Sequence, residues 1–220
     1  MPVTDADATG WFEPLYARAL TGEGEVPWDR GVPNPHLVEW LANHPLDPVG
    51  KRAVAVGCGT GADAELLAAT GFEVIAFDIA PSALTMARSR YPGSRVGYRQ
   101  ADLLDLPVEW HQHFDLVVES ITVQALPPEL HARASAAVSS LAAPGGLVVV
   151  LCGQAAPGAE HRDGPPWPLA VAKIQYYAVD GVQPAVIETL SGPNGDLRWR
   201  AEFRRPDPDR DQDRTNAHWR

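Results

Sequence analysis

Three glycines stand close together in the run Gly57-Cys58-Gly59-Thr60-Gly61, between a short apolar segment and a segment with helical spacing. A glycine loop between a strand and a helix lets a ligand approach the backbone closely, because no Cβ blocks it. The same run, extended to Ala62, also satisfies the GxGxxG/A pattern of dinucleotide-binding proteins. The loop therefore predicts a nucleotide-like ligand, and by itself it leaves open a nicotinamide dinucleotide or a purely structural role.

Two acids at the ends of later predicted strands narrow the choice. Asp78 ends the second strand, where its carboxylate can accept hydrogen bonds from both hydroxyls of a ribose. Asp102, followed by Leu103, comes just after the third strand and can accept the exocyclic amine of an adenine packed against Ile79. Dinucleotide-binding folds do not usually need this second acid, so Asp102 favours a different adenosine ligand. The alternative for Asp102 is a loop aspartate that caps a turn.

Few residues on the ligand side of the chain could move a proton. Ligands of parallel sheets bind beyond the carboxyl ends of the strands, whereas His111 and His113 precede the fourth strand and belong at the opposite edge. Glu119, at the end of that strand, and His161, in the loop after the fifth strand, are the candidate general bases. The alternatives are a place beside the bound nucleotide for Glu119 and a solvated position for His161. We predict no metal site.

The elements that must position these residues alternate as strand, turn and helix, which predicts an α/β fold with a doubly wound, mostly parallel sheet. The run Gly192-Pro193-Asn194-Gly195 predicts a terminal antiparallel hairpin, and Pro144-Gly145-Gly146 predicts a turn before the fifth strand. The predicted strands are 53–56, 73–77, 96–100, 114–119, 147–151, 185–190 and 197–203. The predicted helices are 35–43, 62–69, 82–90 and an alanine-rich helix after Pro128.

Composition excludes several classes of function. The chain of 220 residues has a formal net charge of −10, which opposes binding to nucleic acid. It has no apolar run long enough to cross a membrane and no basic start typical of a signal peptide, so we expect a cytoplasmic protein. Cys58 and Cys152 follow strands that should be separated by a third strand, which predicts two reduced thiols rather than a disulfide.

The three motifs in order, with the closing hairpin, resemble the class I S-adenosylmethionine-dependent methyltransferases over residues 52–203. The resemblance implies a Rossmann-like sheet, S-adenosylmethionine as the methyl donor and S-adenosylhomocysteine as the product. Many of these enzymes carry an acid two residues before the first glycine, where this chain has Ala55. The residues implied to hold the cofactor are Trp28, Gly57, Cys58, Gly59, Gly61, Asp78, Ile79, Asp102, Leu103 and Glu119.

A second set of motifs resembles the thiopurine and halide/thiol methyltransferase branch. The motifs are Pro27-Trp28-Asp29-Arg30-Gly31, the glycine run continued to Asp63, and Asp163-Gly164-Pro165-Pro166-Trp167. The resemblance implies that residues 1–50 are a lid segment of the same domain and that 51–205 form the methyltransferase domain. Residues 206–220 lack apolar periodicity, which predicts a disordered tail. The expected mobile cover is residues 11–31 and 153–168. Trp11, Ser120, Thr122 and Trp167 are implied to line the acceptor pocket, with packing anchors as the alternative for Trp11 and Trp28.

The expected chemistry is methyl transfer to a small-molecule acceptor. A thiolate or hydrosulfide is largely ionised near neutral pH and needs no general base, so a sulfur acceptor fits this chain best. Trp167 stands where halide enzymes commonly carry a tyrosine, which weakens the case for a halide. The alternatives are O- or N-methylation of a small metabolite, methylation of a tellurite-type oxyanion, and cofactor binding without catalysis. We expect no nucleic-acid or membrane partner, and a monomer or a weak homodimer.

Overall fold

The computed structural model describes residues 8–156, 164–192 and 194–208, which build one seven-stranded sheet. The strands run in the order β3-β2-β1-β4-β5-β7-β6. The first five are parallel, and β7 is antiparallel to both of its neighbours, β5 and β6. The predicted α/β class with a terminal hairpin is confirmed. The strands are β1 Arg52–Val56, β2 Glu73–Asp78, β3 Gly97–Gln100, β4 Phe114–Ser120, β5 Ala142–Gly153, β6 Gln183–Ser191 and β7 Leu197–Arg204.

Helices cover both faces of the sheet. One hydrophobic cluster joins one face of the sheet to α2, α3 and α4, and a second joins the other face to α5 and α6. Because side chains of a strand alternate between faces, both clusters include residues of the central strands, which are buried almost throughout. The helices are α1 Phe12–Leu20, α2 Pro35–Asn43, α3 Ala62–Ala69, α4 Pro81–Arg90, α5 His131–Ser140 and α6 Val171–Ile174.

The register of the parallel strands brings their carboxyl ends to one edge. Val56 at the end of β1 lies opposite Phe77 of β2 and Glu119 of β4, and Ser120 lies opposite Leu151 of β5. The loops that leave these strands therefore meet at the same place. This edge is where a ligand of an open parallel sheet is held.

Helix α1 was not predicted from the sequence. Pro14 sits in its first turn, where the missing N–H costs nothing, and Tyr16 is buried at 2% exposure. Tyr16 packs with Ala80 and Ala83 at the start of α4. A tertiary contact with α4, rather than a strong local helix signal, accounts for this element.

Strand β5 is longer than predicted because the expected turn at Pro144-Gly145-Gly146 lies inside it. The pairing with β4 is irregular there: Phe114 lies opposite Ala142, and Leu116 lies opposite Leu147. A Cβ on Gly146 would lie 2.7 Å from the carbonyl oxygen of Ala143 and 2.8 Å from that of Phe114. The turn residues therefore form a bulge that lets the chain continue as a strand.

The structure also describes the two cysteines, the hairpin turn and part of the predicted tail. Both cysteines are free thiols. The predicted hairpin turn lies between β6 and β7, where the N–H of Gly192 donates to the carbonyl of Asp196 at 2.7 Å. Of the predicted tail, residues 209–220 lie outside the described part of the chain. None of the helices described is long and apolar enough to cross a membrane.

Candidate functional site

A cavity of about 400 Å³ opens at the carboxyl edge of the sheet. Its wall is formed by the glycine loop, by the ends of β2, β4 and β5, and by an N-terminal segment, residues 9–36. Among the residues predicted from the sequence, those that line it are Trp28, Gly57, Cys58, Gly59, Asp78, Ile79, Asp102, Leu103, Ser120 and Thr122. Gly61, Glu119, Trp11 and Trp167 do not line it, and His161 lies outside the described residues.

The glycine loop is held tightly between α1 and the loop after β4. Gly57 and Gly59 have φ angles of 56° and 52°, in the left-handed region that favours glycine. A Cβ on Gly57 would overlap the side chain of Thr122, and one on Gly59 would lie 2.8 Å from the hydroxyl of Tyr16. The loop backbone therefore forms part of the cavity wall without any side chain in the way at these two positions.

Gly61, the third glycine of the run, lies in a tightly packed part of the loop. Its φ is 92°, and a Cβ there would overlap the Tyr98 hydroxyl and lie 3.2 Å from Cβ of Ala87. The residue therefore permits close packing of α3 against α4 and β3. Gly61 does not line the cavity, and its contact with the cofactor stays a prediction.

Asp78 fixes the glycine loop to the end of β2. Its Oδ2 accepts from the N–H of Gly59 at 2.8 Å and its Oδ1 from the N–H of Ala80 at 2.9 Å. Burial is the main cause that raises the pKa of this carboxyl. Each carboxylate oxygen has a second lone pair, so Asp78 can still accept from a ligand in the cavity that it lines.

Asp102 caps a turn and also lines the cavity, so its position fits both alternatives that the sequence left open. Its Oδ1 accepts from the N–H of Leu104 at 2.8 Å, which is the turn-capping arrangement. It also lines the cavity beside Ile79 and Leu103. The carboxylate has acceptor capacity beyond this one bond, so capping the turn does not prevent contact with a ligand.

Aromatic rings of the N-terminal segment pack against one another at the cavity. The indole N–H of Trp28 donates to the Tyr16 hydroxyl at 2.9 Å, and both rings line the cavity with Phe12. Trp11 stacks on Phe12 with ring centroids 4.1 Å apart and meets the edge of Trp28 at 5.8 Å. Trp11 therefore supports two lining residues and does not itself line the cavity, and its place in the acceptor pocket stays a prediction.

An ion pair ties the N-terminal segment to the body of the protein. Arg90, at the end of α4, donates to Asp29 Oδ1 at 2.9 Å and to Oδ2 at 2.8 Å. The Thr60 hydroxyl of the glycine loop donates to Asp29 Oδ1 at 3.0 Å. The hydrogen bond from Arg90 is the main cause that lowers the pKa of Asp29. Asp29 belongs to the motif Pro27-Trp28-Asp29-Arg30-Gly31, and no role for its side chain was predicted from the sequence.

Glu119 holds the loop after β4 and does not face the cavity. Its Oε1 accepts from the N–H groups of Thr122 at 2.6 Å and Val123 at 3.0 Å, and its Oε2 from the Tyr177 hydroxyl at 2.9 Å. The side chain is fully buried, and burial raises its pKa to about 6. Glu119 therefore has a structural role in this loop, and its role as a base, or as a residue beside the cofactor, stays a prediction.

The end of the cavity beyond β4 and β5 is mostly apolar. Among its polar side chains, the Thr122 hydroxyl donates to the carbonyl of Val56 at 3.0 Å, and Gln124 Oε1 accepts from the N–H of Gly153. We call this region the apolar end. It is lined by Ile121, Thr122, Gln124, Ala125, Leu126, Cys152, Pro165, Pro166 and Trp199.

Trp199, not the predicted Trp167, supplies the indole ring of the apolar end. Trp167 donates its backbone N–H to the carbonyl of Gln124 at 2.6 Å and does not line the cavity. Trp199 comes from β7, and its indole N–H donates to the carbonyl of Leu169 at 2.7 Å. The sequence placed Trp199 in a strand, but only the strand order brings β7 beside β5 and so beside the cavity.

Several polar lining residues were not singled out from the sequence as ligand contacts. Asn34 caps the start of α2, and its own backbone N–H donates to Asp63 Oδ1 at 2.7 Å. His36 lies in the first turn of α2, where burial is the main cause that lowers its pKa. Arg30 and Arg198 complete this group. The sequence signals that could have indicated this group are the Asn34-Pro35 start of α2 and Asp63, the acid that follows the glycine run.

Residues 53–146 match the protein family described as a methyltransferase domain. The chain is 30% identical over 155 residues to a protein of Brassica oleracea named thiocyanate methyltransferase 1, covering 70% of this chain and 66% of the relative. It is 33% identical over 161 residues to a ubiquinone biosynthesis O-methyltransferase of Xanthomonas axonopodis pv. citri, covering 69% and 63%. The chain thus spans about two thirds of the length of these relatives.

A solved structure has the same fold. The N-methyltransferase NodS of Bradyrhizobium japonicum WM9, in complex with S-adenosylhomocysteine, superposes with a TM-score of 0.65. The alignment covers 88% of this chain and 100% of NodS at 22% identity. At this identity the likeness concerns the fold alone.

Proposed function

Since the chain belongs to the class I S-adenosylmethionine-dependent methyltransferases, we propose that it transfers the methyl group to a small sulfur nucleophile, a thiol or a small sulfur anion. The observation that carries the choice of acceptor is the composition of the apolar end. Within the described residues that line it, neither a carboxylate nor a histidine is present. An acceptor that is already ionised needs no such group.

The residues at the carboxyl edge fit the cofactor. The backbone at Gly57 and Gly59 has no room for a Cβ, while two acids at the ends of β2 and β3, Asp78 and Asp102, have acceptor capacity for hydroxyl and amine donors. Ile79 and Leu103 supply apolar contact between these acids. When bound, S-adenosylmethionine supplies an electrophilic methyl group on a sulfonium. Gly57, Gly59, Asp78, Ile79, Asp102 and Leu103 would hold its adenosine part.

The residues of the apolar end would position the acceptor and keep water away. Leu126, Pro165, Pro166 and Trp199 offer only apolar or aromatic surface, which suits polarizable sulfur. Ile121 has a φ of 59°, a strained conformation for a β-branched residue, and its backbone N–H is held by the carbonyl of Leu151 at 2.8 Å. Exclusion of water strips hydration from an attacking anion, so the pocket contributes to the rate without a proton transfer.

The curated relatives support the proposal at the level of acceptor class. Relatives whose names specify thiocyanate or thiol methylation include the Brassica oleracea protein described above and a probable thiol methyltransferase 2 of Arabidopsis thaliana, 27% identical over 154 residues. Sulfur is the atom that a thiol and a thiocyanate share as a possible nucleophile. We therefore place small thiols, hydrosulfide and thiocyanate first among the acceptors to be tested.

O-methylation is a second candidate, and His36 favours it. This histidine lines the cavity, although not its apolar end, and its lowered pKa keeps the imidazole neutral and able to accept a proton at pH 7. The similarity to ubiquinone biosynthesis O-methyltransferases points the same way. A hydroxyl acceptor would depend on such a base, whereas a thiolate would not.

An acceptor panel tests the proposal directly. Purified protein and S-adenosylmethionine are incubated with hydrosulfide, thiocyanate, thiols of several pKa values, iodide, tellurite, phenols and amines, and the methylated products are measured. We expect the highest kcat/KM for a sulfur acceptor. The rate should rise as the pH passes through the pKa of the thiol. The midpoint of this rise should move when the thiol is replaced by one of different pKa. Turnover of a phenol or an amine with no turnover of any sulfur acceptor would refute sulfur methylation.

Replacement of His36 separates the two candidates. The variant H36N should keep the thiol rate within about tenfold of the parent, which corresponds to roughly 1.4 kcal/mol of barrier. The matched control is H44N, because His44 follows the other end of α2 and does not line the cavity. Loss of turnover in H36N, with cofactor affinity intact and H44N unaffected, would establish the base-dependent alternative.

A further inference from the structure

One corner of the cavity contains opposite charges that do not pair with each other. We define the polar corner as Arg30, Asn34, Asp63 and Ser120, all of which line the cavity. It is bounded by Ala55 of β1, whose side chain provides no charge. The corner lies at the start of α3, directly after the glycine loop. None of these four residues is needed for the methyl acceptor in the function proposed above.

Asp63 carries the negative charge of the polar corner. Its Oδ1 accepts from the backbone N–H of Asn34 at 2.7 Å, and the hydroxyl of Ser120 is a second donor. Both donors are neutral, and among the described residues no Lys, Arg or His forms an ion pair with Asp63. Burial is the main cause that raises its pKa. This carboxylate is therefore largely desolvated and lacks a cationic partner.

Arg30 carries the positive charge. It is exposed at the surface and also lines the cavity, and within the part of the chain that the structure describes it makes neither a hydrogen bond nor an ion pair through its side chain. It is close enough to Asp63 to act against the increase of the aspartate's pKa. The two charges thus face one space without touching, and a ligand with both an ammonium and a carboxylate group could lie between them.

We propose that the polar corner binds the α-amino-acid end of the cofactor, with Asp63 accepting from its ammonium group and Arg30 donating to its carboxylate. The assignment rests on the proposed S-adenosylmethionine dependence. Asp78 and Asp102 lie at the ends of β2 and β3, on the other side of the glycine loop from Asp63, so an extended cofactor would reach both ends of the cavity. A free amino acid that served as acceptor would share this chemistry.

Binding measurements on Asp63 test the proposal without any turnover. The variant D63N keeps an oxygen for the Asn34 N–H and removes the charge. By calorimetry, without acceptor, its affinity for S-adenosylhomocysteine should fall at least about tenfold. Its affinity for 5′-methylthioadenosine, which keeps the adenosine and the thioether but lacks the amino-acid end, should stay within about twofold of the parent. Because no acceptor is present, a loss of affinity for S-adenosylhomocysteine would show that Asp63 binds the cofactor and not an amino-acid acceptor.

The second arm concerns Arg30. The variant R30M should weaken binding of S-adenosylhomocysteine several-fold, and it should not weaken binding of the decarboxylated analogue, which keeps the ammonium and lacks the carboxylate. The matched control for D63N is D115N, because Asp115 is also partly buried, accepts a backbone N–H from Arg52 at 2.9 Å and lies at the opposite edge of the sheet. D115N should bind all three ligands like the parent.

Three results would overturn the assignment. One is an unchanged affinity of D63N for S-adenosylhomocysteine. Another is an equal loss of affinity of D63N for 5′-methylthioadenosine and for S-adenosylhomocysteine, because Asp63 would then act on a part of the ligand other than the amino-acid end. A third is an equal loss of affinity of R30M for S-adenosylhomocysteine and for its decarboxylated analogue. Failure of the proposed function has a different signature: the parent protein itself would bind none of the adenosine ligands.

Discussion

At the scale of single residues, Glu119 shows what it costs to hold a loop with a buried carboxylate. Three donors surround it, and these are the N–H groups of Thr122 and Val123 and the hydroxyl of Tyr177. All three are neutral, so they offset only part of the cost of removing a charge from water. The pKa of about 6 is the net result. The loop that Glu119 holds is the one that supplies Thr122 and Gln124 to the apolar end.

This raised pKa predicts a pH dependence of stability. The carboxyl titrates near 4.5 when unfolded and near 6 when folded, so the folded state binds more protons between these values. The unfolding free energy should therefore fall by about 2 kcal/mol as pH rises from 4.5 to 6 and then stay level. Urea denaturation of the parent and of E119Q at several pH values measures this contribution as the difference between them. A constant difference across this range would contradict the assignment.

The sequence indicated some site residues better than others for a physical reason. Asp78 and Asp102 each end a strand of a parallel sheet, and the carboxyl ends of such strands meet at one edge, so their position followed from the pattern. Gly61 and Glu119 also lie at this edge, but their surroundings depend on residues distant in sequence: Tyr98 packs against Gly61, and Tyr177 donates to the carboxylate of Glu119. Asn34 and Asp63 meet across 29 positions of the chain, a contact that no local pattern announces.

At the scale of elements, the ion pair of Asp29 and Arg90 connects the N-terminal segment to α4 and the glycine loop. We expect D29N and R90M to speed the release of S-adenosylhomocysteine about two- to tenfold, because the segment that carries Trp28 is held less firmly. The effect stays small because the Arg90 side chain is 32% exposed and water screens the pair. Stopped-flow measurements of ligand release provide the rate. The charge-reversed double variant D29R/R90D should recover part of the loss.

The matched control for this ion pair is the pair of Glu188 and Arg200, which joins β6 to β7 and contributes neither residue to the cavity. E188Q should leave ligand release unchanged. If E188Q and D29N speed release equally, the effect reflects general loss of stability and not the connection through Asp29. If D29N and R90M both release the ligand at the parent's rate, the ion pair does not hold the segment.

The elements themselves were predictable where burial on both faces forces an apolar sequence. The central strands β1 and β4 and the helix that follows the glycine loop were found within a few residues of their bounds, and the apolar part of β5, 147–151, was also found. Helix α1 was missed because its apolar side is completed by α4, and the extension of β5 was missed because glycines in a bulge look like glycines in a turn. Both errors concern elements whose form is decided by a partner distant in sequence.

At the scale of the whole molecule, the cavity is bordered by two segments distant in sequence, the N-terminal segment and the residues after β5. Addition of S-adenosylhomocysteine should slow amide hydrogen exchange in residues 11–31 and 164–168, because a bound ligand would reduce local opening there. Exchange followed by mass spectrometry measures the change for each peptide. Protection confined to the strands and the glycine loop would show that these segments do not form a ligand-dependent cover.

The antiparallel direction of β7 determines where the chain leaves the sheet. Because β7 runs opposite to β5, Arg204 lies beside Leu147 at the edge away from the cavity. Arg205 is anchored there by hydrogen bonds to the carbonyls of Ala142, Asp180 and Ser139. The start of the described chain, in contrast, contributes Thr9 and Phe12 to the cavity wall. A fluorophore, an affinity tag or a sensor surface joined beyond Arg205 therefore leaves the cavity mouth open, whereas the same attachment before Thr9 would stand at its entrance.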